Sequence, residues 1–180
     1  MYARLAALDR ISFRTLAESE DIKRGLASLG YKVLHSPTAI IKLVMEYAEE
    51  IKEKIATILK EEIERGGRVS ATTDEWTSLK VRRYCAVNAH LKDGRHYGIG
   101  MIRGKGTLDA KTLTSMLKER LEKVGLTPNR HVVASTTDGA IVMEAVGRHI
   151  VPILHQLCFA HALRLAVTDV VYKASITSIF

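Results

Sequence analysis

The amino-acid sequence predicts an α/β protein: a mixed five-stranded sheet in the order β-β-β-α-β-α-β-α, preceded by a helical region. Three observations predict it. The apolar period changes from 3.6 to 2 near Arg68. An Asp93-Gly94 turn signal separates two alternating stretches. Beyond them, segments with helix caps alternate with short apolar runs rich in β-branched residues.

Residues 1–67 read as the helical region, with residues 68–180 forming the sheet domain. Ser19 caps a short helix carrying Ile22, Leu26 and Leu29, and Gly30 is its left-handed stop. Residues 31–35 form a connector. Ser36-Pro37 then opens a long helix over 38–65, with Ser as cap and Pro in the first turn. Ile40, Val44, Tyr47, Ile51, Ile55, Ile58 and Ile63 recur on one face, opposite a run of Glu and Lys. That stripe is a packing face, either for the following domain or for a second copy of the chain in a homo-oligomer.

After Gly66-Gly67 the first strand alternates Val69, Ala71 and Thr73 with Ser70, Thr72 and Asp74. A second strand covers about 82–91 and a third about 96–103, making an antiparallel meander with the first. Asp109 caps a helix whose Leu113, Leu117, Leu121 and Val124 share a face, closed by Gly125. The fourth strand covers 131–137, and a short helix follows over about 140–148. A fifth strand is expected at about 150–154 and a last helix from near Leu157, with Phe159, Leu163, Ala166 and Val170 on its apolar side.

One phrase occurs twice: Thr72-Thr73-Asp74 ends the first strand and Thr136-Thr137-Asp138 ends the fourth. An aspartate at a strand end is also ordinary turn chemistry. Strand order distinguishes the two readings. The hairpin occupies one edge of the first strand, and a helical crossover lets the fourth pair parallel with it on the other. Asp74 and Asp138 then emerge side by side, the ribonuclease-H-like order. Paired carboxylates repel unless a cation lies between them, and Mg²⁺ is the hard, oxygen-seeking ion they suit. Glu144 and Asp169 are weaker candidates for a third acid.

His155, Cys158 and His161 form a second constellation. Structural zinc needs four ligands; only a distant Cys85 could complete this set, so zinc is not expected. The simpler reading is a half-buried group orienting a strand-to-helix junction. Trp76, the only tryptophan, reads as a core anchor. Lys80, Arg82, Arg83, Arg95, Arg103 and Lys105 gather at strand ends and turns, where they could meet phosphates.

The formal net charge is +7, but residues 1–67 hold 11 Lys+Arg against 11 Asp+Glu, whereas residues 68–180 hold 16 against 9. The basic field therefore surrounds the repeated aspartates, which suits a polyphosphate partner. Hydrophobic content of 47% and charged content of 26% are those of a globular chain. No apolar run approaches a membrane span, and the first residues lack an apolar signal core, so an intracellular, non-secreted protein is expected. Two cysteines are too few for a disulfide framework.

Ser70 to Ser78, then Arg83-Tyr84, Thr137-Asp138-Gly139-Ala140 and His155 to Leu163 together resemble the hAT superfamily of DNA transposases. The resemblance covers about residues 35–175. It implies a ribonuclease-H-like catalytic domain with Asp74 and Asp138 as the first two acids of a D-D-E triad binding Mg²⁺ or Mn²⁺. Cys158 and His161 match the family's C-x-x-H motif near the active site, and Trp76 belongs to the block around the first acid. DNA as partner, Lys80, Arg82, Arg83, Arg103 and Lys105 as its contacts, metal-dependent DNA cleavage and strand transfer, and a nuclear location follow as expectations. The helices before Arg68 resemble the family's region for DNA binding and subunit association. The family's third acid, a glutamate after a long helical insertion, has no counterpart before Phe180. Nor is there a BED finger ahead of the helices or the family's C-terminal dimerisation segment. The expectation is a truncated, transposase-derived chain with impaired catalysis, or a non-catalytic DNA- or protein-binding module of the same origin.

Overall fold

The computed structural model of the chain describes residues 1–104, 109–150 and 154–177, with side chains of the last helix as far as Val171. Two compact units are present, Met1–Lys54 and Ile55–Phe180. Four helices open the chain: α1 (Tyr2–Ala7), α2 (Phe13–Glu18), α3 (Glu20–Ser28) and α4 (Pro37–Glu64). Ser12 and Ser19 cap α2 and α3, their hydroxyls accepting from the backbone N–H groups of Thr15 and Ile22. Gly30 takes φ +79° just past α3, the left-handed stop that its lack of a Cβ permits. The core of this unit is Tyr2, Leu16, Ala17, Leu26 and Ile40. The Tyr2 hydroxyl accepts from Leu34 N at 3.0 Å, which satisfies the one polar atom that this ring carries inward.

The division between units falls inside α4, ahead of the composition boundary at 67/68. Its physical reason is apolar packing: Ile55, Ile58, Leu59 and Ile63 join the core of the sheet unit, and Leu59 is wholly buried. The long stripe on α4 thus serves, in its last turns, as a packing face within the chain.

The sheet unit contains β1 (Val69–Thr77), β2 (Arg83–His90), β3 (His96–Arg103), α5 (Ala110–Glu122), α6 (Pro128–His131), β4 (Val132–Thr137), α7 (Ile141–Ile150), β5 (His155–Leu157) and α8 (Phe159–Thr177). Strand order is β3-β2-β1-β4-β5. The first two neighbour pairs, β3-β2 and β2-β1, are antiparallel, and β1-β4 and β4-β5 are parallel. This is an α/β fold with a mixed five-stranded sheet, as the change of period predicts. Ala71, Cys85, Val87 and Ala89 face a core closed by Leu113, Leu117 and Leu121 of α5 and Met143, Val146 and Ile150 of α7. Fully burying each of these leucines contributes about 1.5–3 kcal/mol. The opposite face is polar: Thr72 Oγ1 lies 2.9 Å from His90 Nε2 and accepts from Asn88 Nδ2 at 3.4 Å.

Three expectations are corrected. The fifth strand is His155–Leu157 and not 150–154, because α7 continues through Ile150, whose side chain completes the buried row begun by Met143 and Val146. Residues 151–153 lie outside the described residues. Trp76 is no core anchor: it is 41% exposed and stacks on Tyr84. Phe159, Leu163 and Val170, expected on a packing face of the last helix, are exposed. The four-residue helix α6 is an addition, started by Pro128 and carrying Arg130 and His131 in its last turn. Among the described residues no helix is long and apolar enough to cross a membrane.

Candidate functional site

The last register pair between β1 and β4 is Thr73 with Thr137. Neighbouring strands run roughly 5 Å apart, so the residues that follow this pair lie at the same end of the sheet. Asp138 is just past the end of β4, and Asp74 is still paired with Ala86 of β2, because β1 runs on to Thr77 and does not end at Asp74 as expected. β5 pairs on the other side of β4, and Cys158 N donates to Thr137 O at 2.7 Å just as that strand ends. This bond aims the start of α8 at the two aspartates. Cys158, His161 and Arg164 then follow at a spacing of three, one helical face. An open cavity of 450 Å³ is lined by Asp74, Asp138, Thr73, Cys158, His161 and Arg164, among others.

Electrostatics mark the cavity. Burial pushes the Asp138 carboxyl above its ordinary value, and the neighbouring charges of Asp74 and Glu75 push the same way. The Ala140 N–H, which donates to Asp138 Oδ1 at 3.4 Å, and the charge of His161 oppose that rise. Cys85, on the core side of β2, is pushed up to about 12 by burial and then by Glu75, Asp74 and Asp138 in turn. Its thiol is held in the protonated form, unsuited to ligating a metal. Three carboxylates thus share one neighbourhood. Glu75, however, is nearly covered and paired with Arg83.

Donor chemistry fits a hard divalent cation in part. Asp74 and Asp138 supply oxygens, and a cation between them would offset the repulsion that adds to the effect of burial on Asp138. Thr73 Oγ1 is buried without a hydrogen-bond partner among the described residues, an uncommon orphan beside the same cavity. Against this, no group of three or more His, Cys, Asp or Glu side chains able to hold a metal is found among the described residues. The set is a pair of carboxylates. Glu144 is paired with Arg148, Asp169 is exposed on α8, and neither lines the cavity.

Cys158 and His161 line the cavity, whereas His155 is turned toward Thr137, with Nε2 2.8 Å from Oγ1. Trp76 lies on β1 two residues beyond Asp74. Lys80 and Arg82 lie in the turn between β1 and β2. The Arg83 guanidinium is engaged by Glu75 across the strand pair, which raises it above its usual value. Arg103, exposed at the end of β3, is the register partner of Tyr84. Lys105 lies outside the described residues. Sequence reasoning missed Arg164. Its signal was the i, i+3, i+6 spacing of Cys158, His161 and Arg164, legible once the first two were placed on a helix. It also missed Thr73, whose importance is an unpaired hydroxyl and so invisible before packing is known. No protein-family model matches the chain, and no curated protein matches it.

Proposed function

We propose that the chain is a transposase-derived, ribonuclease-H-like protein whose Asp74 and Asp138 hold a divalent cation for chemistry on nucleic-acid phosphodiesters. One observation carries this reading: two aspartates that each follow the last register pair of adjacent parallel strands line one cavity. The strand order, the basic excess in residues 68–180 and the hAT-like sequence blocks support it. When bound, Mg²⁺ or Mn²⁺ would activate a water or 3′-hydroxyl and stabilise the leaving oxygen. Asp74 and Asp138 would hold that ion. His161 and Arg164 line the same cavity, where Arg164 offers positive charge and His161 a ring N–H to a substrate phosphate. With Glu75 tied to Arg83, only two acids line the cavity among the described residues, and slow cleavage is expected.

Nicking of supercoiled DNA with Mn²⁺ or Mg²⁺ tests the reading. Asp74→Asn and Asp138→Asn are each expected to lower the rate by about 10²-fold or more. Nicking that survives both substitutions sinks it.

The alternative is a nucleic-acid- or protein-binding module without catalysis, favoured by the absence of a third acid lining the cavity among the described residues. It requires binding that weakens steeply with salt and ignores metal. Metal-dependent nicking removes it.

A further inference from the structure

A row of side chains crosses three strands at the site end of the sheet. Trp76 of β1 pairs with Tyr84 of β2, and Tyr84 pairs with Arg103 of β3. Residues directly opposite in an antiparallel pair share a face. The row therefore stands on the face of Asp74, which precedes Trp76 by two residues, about 7 Å along the strand. The Trp76 and Tyr84 rings stack with centroids 5.7 Å apart and 21° between their planes. Trp76 is 41% exposed and Tyr84 is half-buried.

Past Trp76 the chain turns through residues 78–82, and its tip is apolar. Leu79 and Val81 are 105% and 84% exposed, with Lys80 between them and Arg82 beside them. Val81 has φ +54°, a conformation that a β-branched residue takes only where its surroundings hold it. They do: Val81 N donates to Ser78 O at 2.8 Å, Ser78 N to Arg82 O at 2.8 Å, and Arg82 N to Ser78 Oγ at 3.2 Å. The turn holds two apolar side chains in solvent, with Lys80 and Arg82 among them and the Trp76–Tyr84 pair before them, at the end of the sheet that carries Asp74 and Asp138.

We propose that this hairpin seats an unpaired nucleobase, so that the site's partner is a nucleic acid presenting a single-stranded or frayed segment. Open aromatic rings take the face of any base, and flanking Lys and Arg answer the phosphates on either side. Apolar side chains at a protruding tip act as wedges between base steps. A closed duplex exposes no base face to the row. That the partner is nucleic acid rests on the function proposed above. Stacking needs no metal, however, so the two readings fail separately.

Trp76 is the only tryptophan, and the emission of the intact chain reports on the row without a label. In EDTA, the protein is titrated with a mixed-sequence single strand, with its blunt duplex, and with phosphatidylcholine–phosphatidylserine vesicles. The single strand is expected to quench Trp76 saturably, with affinity about tenfold above that of the duplex. Tyr84→Ala is expected to weaken single-strand binding about tenfold. Should that variant lose its far-ultraviolet circular dichroism, the double variant Leu79→Ser, Val81→Gly serves instead, because it changes only exposed side chains and relaxes the turn. Equal quenching by strand and duplex overturns the proposal. A response to vesicles alone assigns the tip to an anionic membrane surface, and silence in all three arms overturns it as well. Quenching in EDTA without any metal-dependent nicking leaves this inference standing and removes the cleavage reading.

Discussion

The two hairpins of the sheet lie at opposite ends of β2 and are built on opposite terms. Between β2 and β3 the chain turns through Lys92-Asp93-Gly94-Arg95, with glycine at φ +88°. Leu91 N donates to Arg95 O at 2.8 Å, and Arg95 Nε donates to Asp93 Oδ2 at 2.7 Å. Every side chain there is polar, and the one residue in the left-handed region is the one without a Cβ. Between β1 and β2 the left-handed residue is a valine and the exposed side chains are Leu79 and Val81. One turn follows the rules of local stability and the other departs from them on two counts. The departures lie at the end of the sheet that carries Asp74 and Asp138. Strain held by surrounding structure gathers where a surface has work other than folding.

On that contrast, packing at the site end should be tight enough for one added methyl group to be felt. Gly147 of α7 provides the largest expected effect. A Cβ there would collide with the His155 ring, and Gly147 O also accepts from Ser135 Oγ at 3.1 Å. Gly147→Ala should destabilise the chain by about 1–3 kcal/mol in urea unfolding. It should also shift the His155 imidazole resonances as the ring leaves Thr137. A silent substitution would mean that α7 and β5 are loosely joined, and that the site end is tolerant after all.

The turns themselves can be exchanged in character. Gly94→Ala places a Cβ in a left-handed conformation and should cost about 1–2 kcal/mol. Val81→Gly makes the opposite change. It removes strain of roughly 1–3 kcal/mol but gives back about 0.5–1 kcal/mol in chain entropy, so a small net gain in stability is expected. Melting of the two variants beside the parent decides the matter. Val81→Gly coming out less stable than the parent would show that the apolar tip is part of the fold and no departure from it.

Much of this was legible in the residues, and what was not has a physical cause. The helix stops at Gly30 and Gly125, the caps at Ser19 and Asp109, and the Asp-Gly turn are local chemistry, readable from one or two residues. The parallel pairing of β1 with β4 followed from connection rules, and with it the convergence of Asp74 and Asp138. The fifth strand was expected but misplaced, at about 150–154, because Ile150 is apolar in a helix or a strand alike, and only packing on α5 and β4 decides for the helix. Trp76 was misread for a related reason. A large aromatic in an alternating strand looks like core, but its parity puts it on Asp74's face, opposite the core face of Ala71 and Cys85. The division inside α4 depends on which partner each turn of one continuous stripe meets, and composition cannot report that.

The smallest expected effect is also the most direct reading of the site's electrostatics. Burial first, and then Asp74 and Glu75, raise the Asp138 carboxyl above the ordinary value of 3.8 that an unfolded chain would show. A carboxyl raised in the fold is favoured there when protonated. Its contribution is therefore fully present below the unfolded value and is lost as pH rises through the higher folded one. At neutral pH the ionised Asp138 thus works against folding, and Asp138→Asn should be the more stable protein. The margin should be under about 1 kcal/mol, since the group is partly solvated, and should vanish as pH falls below about 4. Millimolar Mn²⁺ should raise the melting temperature of the parent by mass action and leave the variant where it was. Thermal melts at neutral and acidic pH, with and without the metal, check all of this at once. An Asn variant that melts below the parent at neutral pH would make Asp138 a structural acid held by Ala140 and His161, and the end of the sheet that carries it no less relaxed than the other.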